Sequence, residues 1–227
     1  IRLSLVGSEM CIRDRLCPMH RLYRFCLFGM ALLSSIAASA APTDQELIAA
    51  LYAKVQARQD WQAQARQCPG DNMPARAAIR ATQANRCETP EQLGACLQRC
   101  EAGDGNDCYW LATTLQQAKG PAEGYEPLYQ RACSLGLVSG CTNRAAGMLT
   151  ADADSQGTRH CAVQTFNKAC ELDDPWACTM YGFHLSRGIG VAPDADLALK
   201  VLDKSCKHGP ADPACSCLLY TSPSPRD

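Results

Sequence analysis

Apolar residues recur along the second half of the chain at the spacing of one helix face. Counted from Cys108, Cys141 and Cys178, a small residue follows four positions later and a larger apolar residue seven positions later. These are Ala112, Ala145 and Gly182, then Leu115, Met148 and Leu185. Offsets of 0, 4 and 7 lie on one side of an α-helix, and the small residue lets a neighbouring helix come close. The pattern therefore predicts a series of equivalent helices, which we call the A helices.

A second set of helices is predicted to end at cysteines that recur with the same period. Cys100, Cys133, Cys170 and Cys206 follow one another at steps of 33, 37 and 36 residues, and Tyr129, Phe166 and Leu202 precede the last three by four positions. A period in the mid-thirties is typical of helical-hairpin solenoids. We call the helices that end at these cysteines the B helices, and we predict an all-α, right-handed α-solenoid of disulfide-bridged antiparallel helix pairs.

The two cysteine series predict the bridges of this solenoid. The last turn of a B helix and the first turn of the next A helix are joined by a short link, which brings their cysteines within disulfide reach. The expected bridges are Cys100–Cys108, Cys133–Cys141, Cys170–Cys178 and, with one extra residue between its cysteines, Cys206–Cys215.

Residues 177–206 resemble a Sel-1-like repeat, a relative of the tetratricopeptide repeat. The resemblance lies in the turn Gly188-x-Gly190-Val191 and in Asp194 and Ala198, and it extends more weakly over 100–216. The added cysteine pairs resemble the Helicobacter cysteine-rich protein branch of that family. That branch implies one alternative activity, a penicillin-binding or β-lactamase-like hydrolase.

The segment 41–99 is less regular, and we interpret it as a helical N-terminal cap and a degenerate repeat. One helix is expected over Gln45–Gln67, with Leu47, Ala50, Leu51, Val55 and Trp61 on its apolar stripe. Pro69-Gly70-Asp71 then breaks it. A second helix is expected over Pro74–Arg86, and a third opens near Pro90 and ends at Cys100.

The N-terminal region also predicts export. Residues 19–40 have the basic start, short apolar stretch and small-residue cleavage site of a secretory signal peptide, with cleavage near Ala40. The 16 cysteines of the chain fit an oxidising compartment, which indicates a bacterial periplasmic or secreted protein. Residues 1–18 and 217–227 resemble translated sequencing-adapter sequence, so they are excluded from the fold, and the last repeat is expected to be truncated.

Composition and motifs limit the chemistry that we expect. The formal net charge of −1 gives no footprint for nucleic acid, and no membrane span is expected after signal cleavage. Cys96 and Cys161 occupy repeat positions that hold apolar residues elsewhere, so we interpret them as small buried hydrophobes, which leaves Cys68 and Cys87 as candidates for one further bridge. No histidine has the spacing of a zinc ligand, and we predict no metal, no cofactor and no catalytic residue.

The remaining candidate surface is the outer side of the A helices. Trp110, Met180, Phe183, His184 and Arg187 are predicted to point away from the core, on the concave face that binds partners in related solenoids. Partner binding and packing against a neighbouring hairpin are both open explanations for these side chains. The leading hypothesis is a monomeric, non-catalytic solenoid that binds an unidentified envelope protein or peptide there. The hydrolase and a structural adaptor of an envelope complex are the alternatives.

Overall fold

The computed structural model describes residues 43–73, 87–207, 209 and 214–215. The adapter-like ends, the signal peptide 19–40 and the predicted helix Pro74–Arg86 lie outside the described residues. Regular structure within the described part is entirely helical, which confirms the all-α class. Its helices are α1 Asp44–Gln56, α2 Gln59–Ala65, α3 Pro90–Glu101, α4 Gly105–Gln117, α5 Glu126–Ser134, α6 Val138–Ala151, α7 Gln156–Glu171, α8 Pro175–Arg187 and α9 Ala195–Ser205, with short 3₁₀ turns at Pro69–Asp71 and Ala122–Gly124. None of the described helices combines the length and apolar character needed to cross a bilayer.

From α3 onward the chain forms an α-solenoid of helix pairs. Each helix from α3 to α9 packs on the next one in sequence, so α4/α5, α6/α7 and α8/α9 are three successive hairpins. The B-helix residues Tyr129, Phe166 and Leu202 are buried as predicted. On α8, a Cβ at Gly182 would lie 2.4 Å from Leu202 Cγ, which confirms that the small A-helix residue permits close packing. Met148, which the pattern placed in the core of α6, is only partly buried, and the adjacent Leu149 is buried instead.

A three-residue link with a repeated backbone conformation joins each B helix to the next A helix. The residue three positions after the first cysteine has positive φ in each of the three fully described links: Gly103 (102°), Gly136 (95°) and Asp173 (66°). Positive φ is costly for residues with a Cβ, which explains glycine at two of these positions. In the first and third links, Asp104 and Asp174 then cap the following helix through hydrogen bonds from backbone N–H groups.

This link geometry brings each predicted cysteine pair together. The structure contains the bridges Cys100–Cys108, Cys133–Cys141 and Cys170–Cys178, with Cα–Cα distances of 4.7, 4.6 and 4.6 Å, respectively. Cys206–Cys215 is also bridged, at a Cα–Cα distance of 4.5 Å. The bridge therefore forms despite the extra residue between its cysteines.

The four other cysteines of the described residues pair differently from the prediction. A Cys68–Cys87 bridge was expected, but Cys68 is bonded to Cys161 and Cys87 to Cys96. The interpretation of Cys96 and Cys161 as free buried hydrophobes is wrong for the same reason. Aligning the repeats identified the positions of Cys96 and Cys161 but gave no information on the non-repeated chain that packs against them.

The prediction of a single helix over Gln45–Gln67 is also wrong, because Ala57–Arg58 interrupt the helix and separate α1 from α2. In a continuous helix, Trp61 would be rotated by about 120° from Val55 around the axis. The break allows both side chains to be buried, and Trp61 is 1% exposed. Arg58 and Arg131 place their guanidinium carbons 4.3 and 4.9 Å from the Trp61 ring centroid.

The N-terminal segment 44–73 lies along the B helices of three successive units. Helix α1 contacts α3, α2 contacts α5, and the turn Pro69–Asp71 contacts α7. The far end is fixed by the Cys68–Cys161 bridge and by two hydrogen bonds: Thr165 Oγ1 accepts from Gly70 N at 3.0 Å, and Lys168 Nζ donates to Gly70 O at 2.9 Å. This segment therefore extends along three units of the solenoid.

A buried ion pair links this segment to the solenoid. Arg144 on α6 donates to the backbone oxygen of Ala65 at the end of α2, at 2.6 Å from Nη2, and to Glu126 Oε2 at 3.1 Å. The side chains of Arg144 and Glu126 are only 12% and 11% exposed. Burial raises the pKa of Glu126 to about 7, with Arg144 acting in the opposite direction.

Candidate functional site

The candidate surface is the A-helix face, which we define as the side of α4, α6 and α8 that carries Trp110, Asn143 and Met180. These residues stand two positions after the second cysteine of successive units, and all three are partly buried. Trp110 packs against the core cluster of the first unit, and Met180 packs against the cluster that contains Ala145 and Phe166. Both side chains thus contribute to packing while part of each stays at the surface.

Polar and aromatic groups surround Trp110 on this face. The Tyr109 and Trp110 rings meet edge to face, with their centroids 5.4 Å apart. Asn143 Nδ2 on the next A helix donates to the Tyr109 hydroxyl at 3.3 Å. Adjacent hairpins are therefore joined by a hydrogen bond at the site itself, which fixes the relative positions of their surface side chains.

His184 does not belong to this surface, which corrects the prediction. It is only 3% exposed, and its Nδ1 lies 2.9 Å from the backbone oxygen of Ile189. Gly188 ends α8 in the left-handed conformation, so the following chain turns back over the imidazole. Burial lowers the pKa of His184, which favours a neutral ring that joins the end of α8 to the turn.

Phe183 and Arg187 lie on the A-helix face toward the end of α8. Phe183 is partly buried and Arg187 is exposed. The Arg187 guanidinium carbon lies 5.9 Å from the Phe183 ring centroid, within the range of a cation–π contact. The pair presents an aromatic surface beside a positive charge, an arrangement suited to an apolar group next to a carboxylate.

A groove on the other side of α8 was not predicted. It consists of two adjoining surface hollows of about 330 and 280 Å³ between α7 and the turn after α8. Its floor and walls are Gln156, Arg159, His160, Val163, Gln164, Asn167, Tyr181 and Gly188–Val191. The helical spacing of His160, Gln164 and Asn167 is a sequence signal for a shared polar face, although that spacing alone does not distinguish a groove from a solvated surface.

Cys87, Cys96 and Asp107 are the described residues whose donor atoms converge as in a metal site, within 4.8 Å of one another. The bond between Cys87 and Cys96 removes both thiolates that a metal would need. Asp107 is paired with Arg99, with 2.7 Å between Asp107 Oδ2 and Arg99 Nε. The oxidised cluster therefore offers a cation no free thiolate.

No family model, curated protein or solved structure matches this chain.

Proposed function

We propose that this chain is a non-catalytic Sel-1-like repeat protein that binds a protein or peptide through its A-helix face. The observation that supports the proposal most directly is the Phe183–Arg187 pair. It lies at the end of a surface that also carries the partly exposed Trp110 and Met180. Aromatic residues and arginine are the side chains that most often dominate binding energy at protein interfaces.

The bridges among the described residues support a location outside the cytoplasm. Twelve cysteines there form six disulfides, a density typical of proteins that mature in an oxidising compartment. We propose the bacterial periplasm or the exterior, with residues 19–40 as the export signal. The hydrolase alternative has the family resemblance as its basis.

The chemistry of the Phe183–Arg187 pair specifies a ligand that can be tested. A peptide with an apolar side chain close to a carboxylate could place the first on the Phe183 ring and the second on Arg187. Peptides selected from a random display library against the oxidised protein should therefore be enriched in that combination. Arg187→Glu should reverse the preference, because the new carboxylate repels acidic peptides.

Affinities of the selected peptides, measured by calorimetry, test which residues bind them. Phe183→Ala is expected to weaken binding by about tenfold or more, the loss typical of an interface aromatic. Leu199→Ala is the matched control, because Leu199 is 62% exposed on α9 and lies off the A-helix face. Equal affinity of all the variants for the selected peptides would contradict the proposed surface.

A further inference from the structure

The Cys87–Cys96 bridge lies against two charged side chains. Cys96 Sγ is 3.4 Å from Arg99 Nη2, and Cys87 Sγ is 3.7 Å from Asp107 Oδ1. Arg99 and Asp107 are themselves joined by two hydrogen bonds, of 2.7 and 2.9 Å. The guanidinium thus contacts one sulfur of the bridge while its charge is balanced by a buried carboxylate beside the other.

In the repeat bridges, the contacts of the described sulfur atoms are with uncharged backbone groups. The sulfurs of Cys108 and Cys178 lie 3.6 Å from backbone carbonyl oxygens, and that of Cys141 lies 3.8 Å from one. A carbonyl oxygen carries partial negative charge and does not stabilise a thiolate. A nearby guanidinium does, because it lowers the energy of the negative sulfur.

We propose that Cys87–Cys96 is a thiol–disulfide exchange site at which a thiol reductant attacks the sulfur of Cys87. A reductant thiolate forms a bond to Cys87, the bond between Cys87 and Cys96 breaks, and Cys96 leaves as a thiolate paired with Arg99. A second reductant thiolate attacks the reductant sulfur of this mixed disulfide, and Cys87 leaves and takes up a proton. The protein gains two electrons, and two reductant thiols become one disulfide.

The position of Cys87 in the fold supports this direction of attack. Both sulfurs are buried, so the reaction requires part of the chain to move. Cys87 precedes α3 in a non-helical stretch, where the Thr114 hydroxyl donates to its backbone oxygen. Cys96 lies inside α3, and both cysteines of Cys100–Cys108 lie inside helices. Exposing Cys87 therefore does not require α3 to unwind, and the Arg99 side chain beside the bridge is 46% exposed.

Glutathione buffers of graded composition test the proposal on the intact oxidised chain. Samples are quenched in acid, alkylated and mapped by mass spectrometry. We expect Cys87–Cys96 to open at a ratio of reduced to oxidised glutathione about tenfold below that for Cys100–Cys108, and trapped glutathione to be found on Cys87. Opening together with or after Cys100–Cys108, or glutathione found on Cys96, would overturn the proposal.

Variants at Arg99 separate electrostatics from exposure. Arg99→Gln should move the opening of Cys87–Cys96 toward more reducing buffers by about tenfold, while Arg99→Lys, which keeps the charge, should recover part of the shift. Arg58→Gln removes another surface arginine, one paired with Glu101, and should leave the bridge unchanged. An equal shift in Arg99→Lys and Arg99→Gln would show that the charge is not the cause. If Arg99→Gln does not fold, the site of glutathione attachment in the unmodified protein still decides the proposal.

Discussion

Removing the bridge between the N-terminal segment and α7 should destabilise the protein more than removing any repeat bridge. Cys68 and Cys161 are 93 positions apart, whereas Cys100 and Cys108 are 8 apart. If a disulfide acts by restricting the unfolded chain, the long loop contributes about 4 kcal/mol, after allowing for the short bridges nested inside it, and the short loop contributes about 2.5 kcal/mol. The difference follows from loop length alone, because both bridges join elements that are already packed together.

The test compares Cys68→Ala/Cys161→Ala with Cys100→Ala/Cys108→Ala by guanidinium denaturation under oxidising conditions, followed by far-ultraviolet circular dichroism. The first variant should lose about 4 kcal/mol and melt about 10 °C lower, at roughly 2–4 °C per kcal/mol for a domain of this size. Its denaturant dependence should also steepen, since its unfolded chain is more expanded. If it loses no more stability than the second variant, then the long bridge does not act through the unfolded chain.

Three further predictions follow from the packing, from the buried ion pair and from the proposed lack of catalysis. Gly140→Ala should lower the free energy of unfolding by about 1–3 kcal/mol, because a Cβ there would lie 2.8 Å from Ala132 Cβ and 2.9 Å from two backbone atoms of α5. Denaturant unfolding measures this loss, and an unchanged midpoint would show that α6 can move away from α5. Glu126 has its folded-state pKa raised from 4.5 to about 7, so the folded protein binds more protons than the unfolded chain in that interval, and stability should fall by about 3 kcal/mol as pH rises from 4.5 to 7. Glu126→Gln should flatten that part of the profile, and a slope that persists would assign it to another group. The purified oxidised protein should not hydrolyse a chromogenic cephalosporin above background, and turnover that survives repurification and is lost on unfolding would contradict the non-catalytic proposal.

The helix pairs and their bridges could be predicted because they depend on contacts between neighbours in sequence. The spacing of Cys108, Ala112 and Leu115 matches the period of an α-helix. Because only a few residues link the two helices, Cys108 must lie close to Cys100. The end of α8 was harder to predict. His184 is six positions after Cys178, which in an ideal helix directs its side chain away from the core of the solenoid. The left-handed turn at Gly188 brings Ile189 back over the imidazole. Helical periodicity predicts which residues face the core within a helix, but it does not predict the path of the chain after the helix ends.

The path of the N-terminal segment could not be predicted, because it has no counterpart in the repeats. Its contacts with α5 and α7 join residues 60 or more positions apart, and the break at Ala57–Arg58 departs from the single-helix pattern. The pairings of Cys161 and Cys96 likewise depend on partners, Cys68 and Cys87, that lie outside the repeats. An alignment of repeats shows what each position has in common, whereas these cysteines differ because non-repeated chain lies beside them.

The placement of that segment bears on where a partner could bind. It covers the B helices α3, α5 and α7, and it is fixed there by Cys68–Cys161 and by the donation from Arg144 to Ala65. A partner that used this side would have to displace a disulfide-bonded segment, which costs far more than an ordinary side-chain rearrangement. Among the residues that the structure describes, Arg187 on the A-helix face is exposed and Phe183 is partly exposed beside it. The N-terminal segment thus stabilises the solenoid, and the partner that we propose is expected on the side that carries the partly buried Phe183 and the exposed Arg187.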